Sequence, residues 1–326
     1  MNRNTNLDIV RFFAAFMVLS VHIGQNAGID MSVGAKGVQT FFVLSGFCIF
    51  RSLDNEISLK TYYAKRVVRI LPTYWICLLI LYIEAIISGP KELCSIRFFR
   101  YIFMAQCFTP TNDFGLWNNY SALWTMSSFA FFYIVAPFLH KVMKNFYLSL
   151  AGVLALALLT PYAETVLSEK LTGYPPEACI ETFLSLNPLA GIYCFLMGGL
   201  LWIAIKNSKQ AVYIIILLAL VFVRSLTWCT YETLSVVMIL AAVSFEPIIG
   251  NSKLKQILGV VSNISFTLYL IHPILIRHAG IIWKYTGDRN KYLYALCLYL
   301  VSIGMAWILY YGIISRIEHR MREKIG

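Results

Sequence analysis

The sequence predicts an all-α, polytopic membrane helix bundle of about ten transmembrane helices, with both termini cytoplasmic. Three observations support this prediction. Of the 326 residues, 59% are hydrophobic and 13% are charged, with a mean hydropathy of +0.69, whereas soluble domains average about 45–50% apolar and about 25% charged. Apolar runs recur at the length of about 20 residues that crosses a bilayer. Lys and Arg concentrate in the short segments between those runs.

The apolar runs place the predicted helices along the chain. They lie near 7–25, 37–51, 71–88, 121–140, 145–163, 187–205, 210–226, 233–249, 257–283 and 292–314. The apolar stretch 97–108 is flanked by Arg97 and Arg100 and is shorter than a span. We therefore expect it to be interfacial or re-entrant.

Basic residues predict the orientation. With the N-terminus inside, inner segments such as 51–69 and 316–324 hold most of the Lys and Arg, as the positive-inside rule requires. The alternation works only if 97–108 does not cross. Residues 164–186 are then the largest outer loop. No linker or polar block separates a second domain, so 1–326 is expected to be one membrane-embedded domain without a fused soluble domain.

The composition also bears on partners and cofactors. A net charge of +11 would suit nucleic acid, but the basic residues flank apolar runs, so membrane lipids are expected instead and nucleic acid is not.

The eight cysteines show neither a C-x-x-C motif nor Cys/His metal spacing, so no metal is expected. Cys179 and Cys229 fall in predicted outer loops and could pair.

The first predicted helix, 7-LDIVRFFAAFMVLSVHIGQ-25, contains Asp8, Arg11 and His22. Ionisable groups inside a membrane are functional hypotheses by default. Arg11 and His22 are separated by a rotation only ~20° past three full turns, so they share a face about 16 Å apart along the axis. Asp8 can pair with Arg11, and His22 is suited to general-base chemistry. The alternative is an interfacial ion pair and a packing histidine.

A basic motif, 62-YYAKRVVRILPTYW-75, precedes the third span. Arg66 and Arg69 are three residues apart and share a face of a short helix that is expected to end at Pro72, and Lys65 adds a third positive charge. Guanidinium groups match phosphate oxygens, so this motif suits an anionic cofactor such as coenzyme A. The alternative is an ordinary positive-inside flank.

The second helix contains 41-FFVLSGFCIF-50. Ser45 offers a polar group within apolar walls, and Gly46 allows a neighbouring backbone or a thin ligand chain to approach closely. Simple packing of small residues between helices explains the same pattern.

The ninth helix contains 265-SFTLYLIHPIL-275. Pro273 is expected to kink the helix beside His272 and to release backbone groups. Tyr269 shares a face with His272. We expect His272 to line a substrate cavity rather than to transfer a proton.

These motifs occur in an order that resembles the integral-membrane acyltransferase-3 family, whose bacterial members modify surface glycans and other extracytoplasmic molecules. The segments LDIVRFFAAFMVLSVH, FFVLSGF, Y-x-x-K-R-x-x-R-I-L-P-x-Y-W, LW…FFY…P and S-x-x-L-Y-L-I-H-P follow one another across nearly the whole chain. Each motif alone is weak, whereas five in series are specific.

The resemblance implies an O-acyltransferase, most simply an O-acetyltransferase, that uses cytoplasmic acyl-CoA such as acetyl-CoA. The acceptor is a hydroxyl of a surface or polyprenyl-linked glycan at the bacterial inner membrane. By resemblance, His22 activates that hydroxyl, Arg66 and Arg69 contact the donor, and Arg11 helps to hold the donor or the pore. The remaining candidates are Asp8 beside Arg11, Lys65 at the donor, and Ser45, Gly46, Trp124, Tyr269 and His272 lining the pore.

One segment departs from the family pattern. Relatives are similar to L-W-S-L-s-x-E-E-x-F-Y, whereas this chain has 123-LWTMSSFAFFY-133, with Phe129 and Ala130 in place of the acidic pair. An orienting carboxylate must then come from elsewhere, such as Asp8, or the substrate differs. The chain also ends soon after the tenth helix, so the extracytoplasmic hydrolase-like domain of some relatives is not expected.

Two other classes of function remain. A transporter or flippase of lipid-linked or anionic solutes would use Arg11 and His22 as a substrate or proton relay. A non-catalytic scaffold would not need two buried histidines and an arginine within a span.

Overall fold

The computed structural model describes residues 5–55, 57–88, 98–109, 122–170, 177–227, 231–245, 252–286 and 290–324. Helices dominate these ranges and no strand occurs within them, which confirms the all-α prediction. The helices are α1 Thr5–Ala27, α2 Lys36–Leu53, α3 Leu59–Ser88, α4 Phe98–Ile102, α5 Trp124–Val142, α6 Phe146–Lys170, α7 Glu177–Leu186, α8 Ile192–Lys206, α9 Gln210–Thr227, α10 Tyr231–Ser244, α11 Ser252–Arg277, α12 Gly280–Thr286, α13 Lys291–Leu309 and α14 Ser315–Glu323. A 3₁₀ turn, Ser32–Ala35, precedes α2, and a π-helical turn, Tyr310–Ile314, joins α13 to α14.

Several helices have the length and composition of membrane spans. Large apolar side chains such as Phe138 and Leu158 are about two-thirds exposed, at 68% and 67%, on helices that a soluble protein would cover. The protein is therefore an integral membrane helix bundle. The count of ten spans and the cytoplasmic termini remain predictions. Within the described ranges, six segments are long and apolar enough to cross: Thr5–Ala27, Ser32–Leu53, Leu59–Glu84, Phe146–Lys170, Gln256–Arg277 and Lys291–Glu323.

Pro72 does not end a helix, so the prediction of a separate short helix is wrong. It lies inside α3, which runs from Leu59 to Ser88. A proline removes only the one backbone bond that position 72 would give to the Val68 carbonyl, and transmembrane helices tolerate that loss. Arg66 and Arg69 therefore lie in the same helix as the predicted third span.

Two other predicted boundaries are wrong. The predicted helix 257–283 is two helices, because the backbone bonds of His278 and Ala279 tighten to the third preceding carbonyl, which closes α11 before α12 begins at Gly280. The predicted outer loop 164–186 is largely helical, since α6 continues to Lys170 and α7 covers Glu177–Leu186.

The chain forms two compact units, each assembled from separated segments. The first unit comprises 1–41, 64–81 and 237–326. In it, α1 packs against α11 and α13, which also contact each other. The buried side chains of Leu19 and Leu268 belong to this core. The unit thereby brings α1 into contact with helices more than two hundred residues further along the chain.

The end of α1 follows from a glycine. Gly28 has φ +64°, a conformation that side chains with a Cβ rarely adopt. The amide of Ile29 donates to the Gly24 carbonyl at 2.8 Å, which is the 6→1 hydrogen bond of a Schellman motif with glycine at its C′ position. His22 therefore lies in the last two turns of α1.

The second unit comprises 42–63 and 82–236. In it, α8 packs against α5, α6 and α9. A Cβ at Gly46 would lie 1.8 Å from the Phe195 carbonyl oxygen, and one at Gly198 would lie 1.9 Å from the Val43 carbonyl oxygen. The backbones of α2 and α8 thus touch directly, with a glycine from each helix at the contact.

The C-terminal ends of three helices in the second unit meet at the Asp54 carboxylate, just after α2. Nε2 of His140 from α5 lies 2.8 Å from it, and Trp202 Nε1 and Lys206 Nζ of α8 donate to it at 2.5 and 2.6 Å. Partial burial acts to raise the pKa of Asp54, but the hydrogen bonds from Lys206, Trp202 and His140 outweigh it and lower the pKa to about 2. The ionised carboxylate ties the three helix ends together.

We expect Asp54→Asn to lower the melting temperature at pH 7, and the difference from wild type to shrink in acid. The pKa of Asp54 is about 2 in the fold, below its ordinary 3.8. Its stabilisation is therefore complete above about pH 4 and is lost as the pH falls towards 2. Thermal unfolding in detergent between pH 7 and pH 2.5 measures this. Asp30→Asn is the control, because that carboxylate is exposed and accepts from its neighbour Ser32, from the amide at 3.0 Å and from the side chain.

A difference between wild type and Asp54→Asn that stays constant over this pH range would contradict the role of the ionised carboxylate.

Candidate active site

The first unit brings together the two histidines that the sequence singled out. His22 on α1 and His272 on α11 lie with their ring centroids 5.2 Å apart and their planes inclined by 33°. His22 is half-buried and hydrogen-bonded to the Gln25 side chain, whereas His272 is fully buried. A spacing of 250 residues in sequence thus becomes a side-by-side pair of imidazoles.

The backbone orients the ring of His272. Its Nδ1 lies 3.2 Å from the Leu268 carbonyl oxygen and also bonds the Tyr269 carbonyl. Pro273 lacks the amide hydrogen that would otherwise serve the carbonyl of Tyr269. Because a carbonyl can only accept, these contacts assign the hydrogen of the neutral ring to Nδ1.

The other ring nitrogen of His272 is therefore a bare acceptor. Nε2 is buried and has no hydrogen-bond partner among the residues that the structure describes. Buried polar atoms without partners are rare in folded proteins and need a specific explanation. A buried acceptor on a ring that lies beside a second imidazole suits the binding of a hydroxyl group.

Aromatic side chains border the histidine pair. Tyr269 is buried, with its ring centroid 6.0 Å from that of His272 and 5.3 Å from that of Phe41. Tyr269 and His272 therefore do share a face, while their role in lining a pore remains a prediction. These rings keep the surroundings of the two imidazoles apolar.

The predicted ion pair near the start of α1 is present. Arg11 Nη1 donates to Asp8 Oδ1 at 2.7 Å, with the Asp8 side chain buried and that of Arg11 29% exposed. Asn6 anchors this end of the helix by donating to the carbonyls of Ala242 and Phe245, each at 3.0 Å. Helix geometry places Arg11 about three turns from His22 on the same face, so the two groups occupy opposite ends of α1.

The basic motif lies in the early turns of α3. Lys65 is exposed, whereas Arg66 and Arg69 are half-buried. Arg69 interacts electrostatically with Glu318 and with Tyr310 from the C-terminal region. The guanidinium is thus held within the protein rather than extended into solvent.

Three predicted pore-lining residues belong to the second unit. Ser45 is half-buried, and Gly46 faces the backbone of α8, as the packing alternative for this motif required. Trp124 packs edge-on against Phe42, with centroids 6.1 Å apart, and Phe42 also contacts Phe129 at 5.3 Å. The position where relatives carry an acidic residue is therefore part of an aromatic cluster here.

The described residues bear on two further predictions, the absence of a metal site and the possible disulfide between Cys179 and Cys229. Among the described residues, no group of three or more His, Cys, Asp or Glu side chains is arranged to hold a metal ion. Cys229 lies outside the described residues, so the pairing with Cys179 stays a prediction.

Sequence reasoning missed several residues of these sites. Gln25 bonds His22 from the next turn, and Phe41 packs on Tyr269. Glu318, by contrast, was detectable in principle, because a glutamate four residues before an arginine on a helix predicts an ion pair. No comparable pattern connects Asp54 with His140, 86 residues away.

The fold and these groups define a polytopic helical membrane protein with ionisable side chains in its core. Comparison with known proteins then identifies the family. The acyltransferase domain family matches residues 4–311, so the chain belongs to it, which confirms the resemblance seen in the motifs.

Individual relatives are distant. Nodulation protein 10 of Rhizobium leguminosarum bv. viciae is 24% identical over 220 residues, covering 60% of this chain and 58% of that protein. Peptidoglycan O-acetyltransferase OatA of Listeria monocytogenes is 27% identical over 182 residues, covering 50% of this chain and 29% of OatA. The matches thus span only part of each relative's length. No solved structure matches the chain.

Proposed function

We propose that the protein is an O-acyltransferase that moves an acyl group, most simply acetyl, from cytoplasmic acyl-CoA to a hydroxyl of a surface or lipid-linked glycan at the bacterial inner membrane. The observation that supports this most strongly is the pairing of His22 with His272, whose Nε2 is buried without a partner among the described residues. Membership of the acyltransferase family supports the reaction class. The relative OatA, a peptidoglycan O-acetyltransferase, supports a glycan hydroxyl as acceptor.

In this proposal the donor binds at the start of α3. Arg66 and Arg69, with Lys65 beside them, bind the phosphate groups of acyl-CoA through charge-assisted hydrogen bonds. The pantetheine arm extends into the bundle. Arg11, held by Asp8, lies on the face of α1 that leads towards His22 and helps to hold the donor.

The chemical step is a direct transfer within a ternary complex. The acceptor oxygen attacks the thioester carbonyl while His22 takes the hydroxyl proton. The new carbon–oxygen bond forms, the carbon–sulfur bond breaks, and the proton passes from His22 to the departing thiolate, which yields an ester and CoA thiol. Nε2 of His272 accepts a hydrogen bond from a neighbouring hydroxyl of the glycan and so orients it. Tyr269, in the same unit as the histidine pair, is proposed to line the acceptor path.

Release of CoA thiol from acetyl-CoA by purified protein, with and without a membrane glycan extract, tests this proposal. We expect acceptor-dependent release by wild type. Arg69→Ala should reduce release at low acetyl-CoA by about tenfold or more, because a charge-assisted hydrogen bond to phosphate is lost. Lys60→Ala is the matched control, since this exposed lysine lies in the first turn of the same helix.

A transporter or flippase is the competing function. It would move lipid-linked glycan across a vesicle membrane without releasing thiol. Wild-type protein that translocates a labelled glycan but releases no thiol, with acceptor shown to be present, would overturn the acyl-transfer proposal.

A further inference from the structure

A buried carboxylate near the C-terminus lies among cationic side chains. Glu318 on α14 is only 3% exposed. Its Oε2 accepts from Arg322 Nη2 at 2.9 Å and from the Tyr310 hydroxyl at 3.5 Å, and Arg69 of α3 acts on the same carboxylate. A buried carboxylate is costly unless it is paired and hydrogen-bonded. These contacts therefore join the C-terminal helix to the basic motif of α3.

The π-helical turn sets the orientation of this helix. Tyr310–Ile314 interrupts the run from α13 into α14. One additional residue in a turn rotates everything after it by about 100° relative to an uninterrupted α-helix. The turn thus directs Glu318 into the protein, and Arg322, one turn further, lies over Glu318. Short π-helical turns of this kind are frequent at functional sites.

Two guanidinium groups, those of Arg69 and Arg322, act on the carboxylate of Glu318. Arg66 lies three residues before Arg69 on α3. The side chain of Arg322 is 62% exposed although one of its nitrogens is fixed by Glu318. Each guanidinium has five N–H donors, so one fixed bond leaves donors available on an oriented group. Guanidinium donors oriented in this way suit the oxygens of a phosphate.

We propose that Arg322, held in place by Glu318, is a further donor-binding residue that binds a phosphate of acyl-CoA together with Arg69. The inference rests on the acyl-CoA donor of the proposed function. It makes the C-terminal helix one wall of the donor site, opposite the basic motif of α3.

Kinetics with two donors test this role. Acetyl-CoA carries the nucleotide phosphates, whereas S-acetylpantetheine has the same thioester without them. We expect Arg322→Gln to raise KM for acetyl-CoA about tenfold or more, to leave kcat within about twofold, and to leave kinetics with S-acetylpantetheine unchanged. Arg322→Lys should restore part of the affinity, because lysine keeps the charge without the planar fork. A purely structural role would affect both donors equally.

Arg320→Gln is the matched control. Arg320 is exposed on the same helix, and its replacement by Gln removes the same charge. Two residues of separation place Arg320 about 200° around the helix from Arg322. We expect this variant to keep the wild-type KM. Equal rises in KM for both variants, or no rise for Arg322→Gln, would overturn the inference.

Binding of adenosine 3′,5′-bisphosphate, measured by calorimetry on the purified full chain, needs no acceptor and separates the two proposals. Wild type that binds this nucleotide more than about tenfold better than Arg322→Gln, yet releases no thiol, would refute acyl transfer and support the anion site. If wild type transfers acetyl and both proteins bind the nucleotide equally, the acyl-transfer proposal stands and only the role of Arg322 is refuted.

Discussion

Replacing His22 with glutamine is expected to lower the kcat of acceptor-dependent acyl transfer by about 10²–10⁴-fold, the usual contribution of a positioned general base. Glutamine preserves much of the side-chain volume but cannot take the proton of the acceptor hydroxyl. KM for acetyl-CoA should stay close to that of wild type, because Arg11, the proposed donor ligand on α1, lies about three turns from His22. Steady-state thiol release under saturating donor, with purified protein, gives both constants.

His278→Gln is the control for this experiment. His278 follows the end of α11 and is exposed, and it has no part in the proposed site. The circular dichroism spectrum and melting temperature of both variants should match wild type, which would exclude a folding defect. Full activity of His22→Gln would remove His22 from the role of base and transfer that role to another group.

Gly46→Val is expected to prevent α2 and α8 from packing. A Cβ at position 46 would lie 1.8 Å from the Phe195 carbonyl oxygen, and the obstacle is backbone, which no rotamer change can move away. Ordinary overpacking of a core costs about 1–3 kcal/mol, and a clash between two backbones belongs at or above the upper end. We expect a large loss of monodisperse protein in detergent and a lower melting temperature in what remains.

Gly152→Val provides the comparison, because a Cβ at this exposed position of α6 would meet no atom within 4 Å. That variant should be as stable as wild type or slightly more stable, since glycine is a poor residue for the interior of a helix. Gly46→Val that folds normally but loses activity would favour the alternative in which Gly46 admits a ligand chain.

The sequence predicts the helical class well because run length and composition are local properties. Its errors lie at boundaries, where backbone details decide. Pro72 stays inside α3 because the loss of one backbone hydrogen bond does not outweigh the remaining hydrogen bonds of the helix. The helix α11 ends before position 283 because the amides of His278 and Ala279 bond to the third preceding carbonyl instead of the fourth. Neither outcome follows from hydropathy.

The candidate site shows the same division. The shared face of Arg11 and His22 follows from helical arithmetic, and so does the pair of Asp8 with Arg11. The contact of His22 with His272 depends on how α1 packs against α11, and no local pattern specifies that packing. The open Nε2 of His272 depends further on the assignment of hydrogen to Nδ1, which only the positions of two carbonyls reveal.

The Asp54 carboxylate also constrains how often the chain traverses the membrane. Because α2, α5 and α8 all end at this one group, the chain between any two of those ends must make an even number of traverses. In the predicted topology, α3 and α5 supply two traverses between Asp54 and His140, provided that 97–108 does not cross, and α6 and α8 supply two between His140 and Lys206. The contacts of Asp54 thus require the same parity that the distribution of Lys and Arg predicts. In that topology Arg51, Lys141 and Lys206 lie on one face of the membrane.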